Sequence, residues 1–465
     1  PTVIVETPDT RVAERDYSLS VALGEFLRLS WTRKSEERED VRITIADQQG
    51  ELFLPDGLFR TAGESWLTST SLPSRPLPRW DVRELGEAVT VVDAIVPVIY
   101  GDAQPGIQRT ESGLRLPIDI LGSAFFMLSR YEELVVEERD EHDRFPAWAS
   151  LAYQEGFLER PIVDEYVEIL WSAMVALWPG FTRKERVPRT LITCDVDNPY
   201  AAYTKSFART LRKIGGDLVK RYSPTEAFQT LRNTLATRSG NYRFDPFDNF
   251  EWMMDVNEQA GNRMVFYFMV NNTVASIDGH YCIDEPRIRA LIRRIHERGH
   301  EIGLHGSYAT YRNPTQMSKE VARLQEIMRE EKVEQSVIGA RQHYLRWSSM
   351  ETAVGMNATG IKYDTTLSFA DSVGFRCGTS NAYQLFDFTN RSLMELMECP
   401  LTVMECSVLS EKYMGITDYD TALLVMSELK EKTYQYGGTF VLLWHNSFFS
   451  RSEFRELYTK IINQE

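Results

Sequence analysis

Four clusters of side chains in this chain could carry out hydrolysis: Asp195-Val196-Asp197, His305, Arg341-Gln342-His343-Tyr344 and His445. Each stands at or just beyond the end of an apolar, strand-like run, where the loops of an α/β barrel gather functional groups. Two carboxylates spaced Asp-x-Asp on an extended segment point to the same side, so one can bind a cation while the other takes a proton. A divalent metal held by carboxylate and imidazole polarises an acyl oxygen and lowers the pKa of bound water. His445 follows Phe440-Val441-Leu442-Leu443-Trp444 and could protonate a leaving group if a carboxylate holds its other nitrogen. Asp364, Glu398 and Glu405 are candidate partners, and the sequence does not choose among them. Blander readings stand beside these: an Asp-rich turn stopped by Asn198-Pro199, a structural histidine at 305, an ordinary ion pair for Arg341. His296 and His300 have a ligand-like spacing, but Gly299 should end the helix between them, and both are left out of the site.

Strand-like runs that could position these groups are Leu191–Cys194, Met264–Val270, Glu301–Leu304, Val337–Ala340, Gly360–Tyr363, Leu396–Glu405 and Thr439–Trp444. Helical patterns lie between most of them, notably Asp248–Gln259, Glu285–Arg298 and Thr315–Glu331. Seven strands with right-handed helical crossovers imply a parallel sheet closed, or nearly closed, as a distorted seven-stranded (β/α) barrel. Upstream, Arg11–Ser30 reads as a helix, Val41–Ile45 as a strand, Ile118–Leu134 as a buried helix and Asp164–Leu177 as another. This predicts a smaller α/β or α+β domain over 1–185 and the barrel over 186–465, with Trp178-Pro179-Gly180 and Arg183–Pro188 as linker. Asp140, His142, Asp143 and Arg144 form a polar cluster that reads as an Asp turn with an arginine clamp.

The chain has 465 residues, of which 43% are hydrophobic and 26% charged, and no long low-complexity tract, as in a folded globular protein of two or three domains. A net charge of -15 argues against general affinity for nucleic acid. Cys194, Cys282, Cys377, Cys399 and Cys406 form no CxxC pair, and an odd, scattered set suits a reducing compartment. Pro1-Thr-Val-Ile-Val-Glu6 lacks the features of a signal peptide, so a cytoplasmic location is expected.

The motifs Thr193–Pro199, Gly299–His305, Arg341–Tyr344 and Leu442–His445 occur in the order of the NodB-like polysaccharide deacetylases, a carbohydrate esterase family, and the resemblance covers about residues 188–450. It implies Asp195 as general base, Asp197 and His305 as metal ligands, Arg341 as the residue orienting the base, and His445 as general acid. The backbone N–H of Tyr344 would join an oxyanion pocket. Phe126–Glu133 and Arg160–Asp164 look like the uncharacterised domain that precedes such barrels in some bacterial proteins. The family's second motif has two histidines four apart, whereas the position four after His305 is Ala309. A third ligand must come from elsewhere, and His343 is the nearest candidate, giving a site of Asp197, His305 and His343 for a divalent metal, zinc foremost. Arg376, within Gly374–Gly378, either binds a sugar substituent or orders its loop.

Between 201 and 243 the chain carries Lys205, Arg209, Arg212, Lys213, Lys220, Arg221, Arg232, Arg238 and Arg243 against Asp217 and Glu226. This helical insertion is either a solvated face of a packed helix pair or a surface that recruits a lipid- or nucleotide-linked sugar or the inner face of a membrane. Three functions remain open: a deacetylase of an N- or O-acetylated sugar, a deformylase or other small-amide hydrolase, and a silent glycan-binding scaffold. The sequence does not disclose the oligomeric state.

Overall fold

The computed structural model describes residues 2–86, 88–201, 224–238, 240–242, 244–449 and 451–463. Most of the basic insertion, Arg212 and Lys213 included, lies outside the described residues; Pro224–Arg238 is a helix. No described helix is long and apolar enough to cross a membrane.

The first 115 residues supply eight strands: β1 (Val3–Thr7), β2 (Trp31–Ser35), β3 (Asp40–Ile45), β4 (Glu51–Pro55), β5 (Arg79–Asp81), β6 (Ile95–Pro97), β7 (Gln108–Arg109) and β8 (Gly113–Arg115). Six of them form a mixed sheet in the order β2-β1-β3-β4-β8-β7, and β5 pairs with β6. In β3 the period-2 pattern sends Val41, Ile43 and Ile45 into the core. Helices Ile120–Leu128 and Ile162–Leu177 pack beside this sheet. The expected Ile118–Leu134 helix breaks at Arg130, which adopts φ 58°. Its guanidinium turns inward to Glu132 and Glu133, each at 2.8 Å.

The remaining strands are β9 (Arg189–Val196), β10 (Met264–Phe268), β11 (Glu301–Gly306), β12 (Gly339–Gln342), β13 (Tyr363–Asp364), β14 (Tyr383–Asp387), β15 (Ser392–Glu398), β16 (Val403–Met404) and β17 (Thr439–Leu443). They form one curled α/β sheet in the order β14-β15-β13-β12-β11-β10-β9-β17-β16, parallel throughout except for the β14/β15 hairpin. Two inner strands read as unbroken apolar runs because both faces are covered: all five residues of β10 and Phe440–Leu443 of β17 are buried. Helices Pro286–Glu297 and Pro314–Glu330 begin on proline, which tolerates the first helical turn, and bury Ile288, Leu291, Ile292 and Ile295, and Val321, Leu324 and Ile327.

The expected seven-strand count needs correction. The run Leu396–Glu405 is two strands at opposite ends of the parallel array, because Pro400 has no N–H to donate to a ladder. Only the five steps from Glu398 to Val403 join them, a reach of roughly 18 Å at full extension. The gap is therefore narrow. Backbone bonds carry the chain across it, from Cys399 N–H to Asp364 O at 2.8 Å and from Thr402 N–H to Val441 O at 3.1 Å.

The two sheet systems meet over buried polar groups. Arg376 donates to both oxygens of Glu133 at 2.9 and 2.7 Å and to the Ser368 carbonyl at 2.7 Å. Of its two sequence readings, loop ordering is the one in place. Burial pushes Glu133 up, but Arg376 and Arg130 outweigh it and hold the carboxyl at about 2. Arg376→Ala leaves that carboxylate buried and short of a partner, and is expected to cost about 3–5 kcal/mol in urea unfolding. A cost below about 1 kcal/mol would show that the cluster is not needed.

Candidate active site

At the C-terminal ends of the strands, three imidazoles converge on one carboxylate. His305 Nε2 lies 3.1 Å and His343 Nε2 3.6 Å from Asp197 Oδ1, and His445 Nε2 lies 3.6 Å from Asp197 Oδ2. Each ring is fixed through its other nitrogen. His305 Nδ1 is 2.9 Å from the Arg341 carbonyl, His343 Nδ1 is 2.9 Å from Asp278, and His445 Nδ1 is 2.6 Å from Glu405. A carbonyl can only accept, so Nδ1 of His305 carries a proton and Nε2 is the atom turned toward Asp197, which in the neutral ring is the one with a lone pair for a cation.

Asp195 lies one residue before the end of β9 and is almost wholly buried. Arg341, on β12, donates to it at 2.9 Å, to Thr193 Oγ1 at 2.8 Å and to the Thr365 carbonyl at 3.0 Å. Asp195 Oδ2 stands 3.7 Å from His305 Nε2, so both carboxylates of the Asp-x-Asp pair face one side, as the extended spacing requires. Asn446 Nδ2 donates to the Asn198 and Phe247 carbonyls, which ties the loop after β9 to the chain following His445.

One atom from each of Asp197, His305 and His343 lies within 4.8 Å of the others. Asp197 Oδ1 and His305 Nε2 are buried without a hydrogen-bond partner, although they stand 3.1 Å apart. Buried polar atoms left unpaired in a cluster cost free energy that a cation can recover. One carboxylate and two imidazoles with their outer nitrogens engaged suit a divalent metal such as zinc, with a coordination position left over. Burial would raise the Asp197 pKa, but His343, His305 and His445 outweigh it and hold it well below the usual carboxylate range.

Among the candidate partners of His445, Glu405 is the one in contact; it also accepts the His445 N–H at 3.0 Å. Burial opposes the charged ring, yet the Glu405 carboxylate prevails and holds the His445 pKa well above the ordinary histidine value. Glu405, His445 and Cys406 also bring potential ligand atoms within 4.8 Å. Asp364 and Glu398 belong elsewhere. Asp364 accepts from Trp347 Nε1 at 3.1 Å; burial pushes Asp364 up to about 6, and burial together with the neighbouring Asp364 carboxyl pushes Glu398 well above its usual value.

Asp278 is the residue that motif reading misses. It sits in the loop after β10, where Thr273, Val274 and Tyr308 donate backbone N–H groups to it. Burial raises its pKa, but the bond to His343 and these donors outweigh burial and hold it at about 2. The adjacent Gly279 lies so close that a Cβ there would stand 2.0 Å from the Asp197 carbonyl oxygen. An Asp-Gly pair in the loop that follows β10 was the available signal. Ala309 serves the same loop by its backbone, donating to Thr273 Oγ1 at 3.0 Å. His296 and His300 point away from the site, to the Glu334 N–H and to Met264 and Glu258.

Comparison with known proteins finds a family of unknown function, DUF7033, over residues 3–179, less than half of the chain. No curated protein matches. Among solved structures, one assigned as a polysaccharide deacetylase from Mycobacterium smegmatis is similar at 17% identity and TM-score 0.38, covering 62% of this chain and 87% of its own. The Puue allantoinase is similar at 12% identity and TM-score 0.34, covering 61% and 85%. A further chain assigned as a polysaccharide deacetylase, from Pseudomonas aeruginosa, is similar at 12% and 0.35, covering 67% and 90%. At such identities and overlaps, the chemistry of this chain must be argued from its own side chains.

Proposed function

We propose that this chain is a metal-dependent hydrolase that removes an acetyl group from an N- or O-acetylated sugar of a surface glycan or its precursor. The observation that carries the hydrolase reading is the convergence of His305, His343 and Asp197, with unpaired buried atoms facing inward, beside an arginine-fixed Asp195. The sugar rests on the order of the sequence motifs.

A divalent cation held by Asp197, His305 and His343 would supply Lewis-acid polarisation of the acyl oxygen. Asp195, its orientation set by Arg341 and not among the three grouped donors, takes the proton of the attacking water. His445, kept charged by Glu405, returns a proton to the departing nitrogen or oxygen.

The test has two parts. Purified protein reconstituted with zinc should hold about one equivalent per chain, and a panel of N-acetyl, O-acetyl and N-formyl sugars should show acetyl release. Absence of metal binding would sink the reading, and preference for the formyl substrates would move it to a deformylase. His343→Ala should weaken zinc binding by more than about 100-fold, since altering a residue that merely supports a ligand already costs about 10- to 100-fold. Zinc competition measures it, and unchanged affinity would remove His343 from the site.

A further inference from the structure

Directly after His343 the chain takes two successive left-handed residues, Tyr344 at φ 63° and Leu345 at φ 56°. Neither is glycine, so each costs on the order of 1 kcal/mol or more, and the surroundings must hold them in place. Leu345 is held from beneath by a small core of Ala370, Leu401, Met404, Val441 and Leu443.

Tyr344 is held from the other side by the N-terminal part of the chain. Arg144 Nη1 donates to the Tyr344 carbonyl at 3.0 Å, and the His142 ring packs on the Tyr344 ring at 4.4 Å between centroids. The turn that presents them is self-supporting. Asp140 accepts the N–H groups of His142 and Arg144 and the Arg144 Nε at 2.8 Å. Arg346, two residues past Tyr344, closes the contact by donating to the His142 carbonyl at 2.8 Å.

We propose that Arg144 is a positioning residue for His343: the 140–144 turn fixes the Tyr344–Leu345 step and so aims the His343 imidazole at Asp197. This rests on the metal-site reading above. The two histidines differ in what holds them. His305 lies within β11, where the ladder pairs it with Arg341. His343 lies past the end of β12, in a short 3₁₀ turn whose middle residue is non-helical. No ladder holds it there. A ligand set that draws its third member from such a turn, with alanine at 309, therefore needs a brace, and the N-terminal segment provides one. The same contact gives residues 140–144 a place in the chemistry of the barrel, although none of them touches the proposed cation.

The experiment uses the full chain as wild type, Arg144→Ala and Arg144→Lys, titrated with cobalt(II) for its visible d–d spectrum and with zinc by competition. Arg144→Ala is expected to bind both metals about 10- to 100-fold more weakly, the range for residues that support a ligand, and to change the cobalt spectrum. Some loss of metal-free melting temperature is expected because Arg144 also pairs with Asp140, so both metals are titrated where the variant is fully folded, and the altered cobalt spectrum separates positioning from general stability. Arg144→Lys, which retains one donor for the Tyr344 carbonyl, should recover part of the affinity. If Arg144→Ala does not fold, His142→Ala, which removes the ring from Tyr344, carries the same expectation in smaller measure. Wild-type affinity and spectrum in the folded variants overturn the inference while leaving the metal site intact. Failure of the wild type to bind cobalt or zinc overturns both.

Discussion

Asp195→Asn is expected to lower turnover about 10²- to 10⁴-fold, the range for loss of a general base, while zinc content stays at the wild-type level. Asparagine keeps the shape of the side chain and an oxygen that can still accept from Arg341, so the core around it should remain filled. What it lacks is the ability to take up a proton. Metal content should not follow activity, because the three grouped donors are Asp197, His305 and His343, and Asp195 is not among them. Kinetics on the best acetyl substrate, zinc analysis and thermal unfolding of the same preparation test this together. If activity and metal fall together, Asp195 is a ligand. If activity survives, the base lies elsewhere. A silent scaffold has no turnover to lose, so a wild-type rate above the uncatalysed background would decide against that reading, and a rate at background would favour it.

The alternation of strands and helices in the curled sheet was largely readable from periodicity, because inner strands such as β10 are apolar on both faces and the helices carry apolar stripes at spacings of three and four. The reading failed where one apolar run hid two elements. Leu396–Glu405 contains Pro400, and taking that proline as a stop would have separated β15 from β16. The β14/β15 hairpin went unseen because Ser392–Glu398 is half exposed and gives a weak pattern. At the site, residue type and order in the chain singled out Asp195, Asp197, His305, Arg341 and His445, and the structure places these side chains together. The choice of Glu405 over Asp364 and Glu398 needed three-dimensional contact, since all three are buried carboxylates at strand ends. Asp278 and Arg144 were harder still. They act through His343 or Tyr344, and nothing in local spacing marks a residue that supports another across 65 or 200 positions.

Glu405→Gln is expected to move the alkaline limb of the pH–rate profile to lower pH, with His445→Ala lowering turnover on amides about 10²- to 10⁴-fold. The sign follows from the contacts. The Glu405 carboxylate raises the His445 pKa against the opposing effect of burial, so a proton for the leaving group is present below that raised value and lost as pH climbs through it. Glutamine can still accept from Nδ1 but carries no charge, so the imidazolium gives up its proton at lower pH. The substrate then separates an acid from a mere structural neighbour. An amide nitrogen needs protonation to leave, whereas a nitrophenolate does not, so His445→Ala should cost far less on an acetyl nitrophenyl ester than on an N-acetyl sugar. Equal losses on both substrates would mean that His445, 3.6 Å from Asp197, serves the metal cluster and not the leaving group.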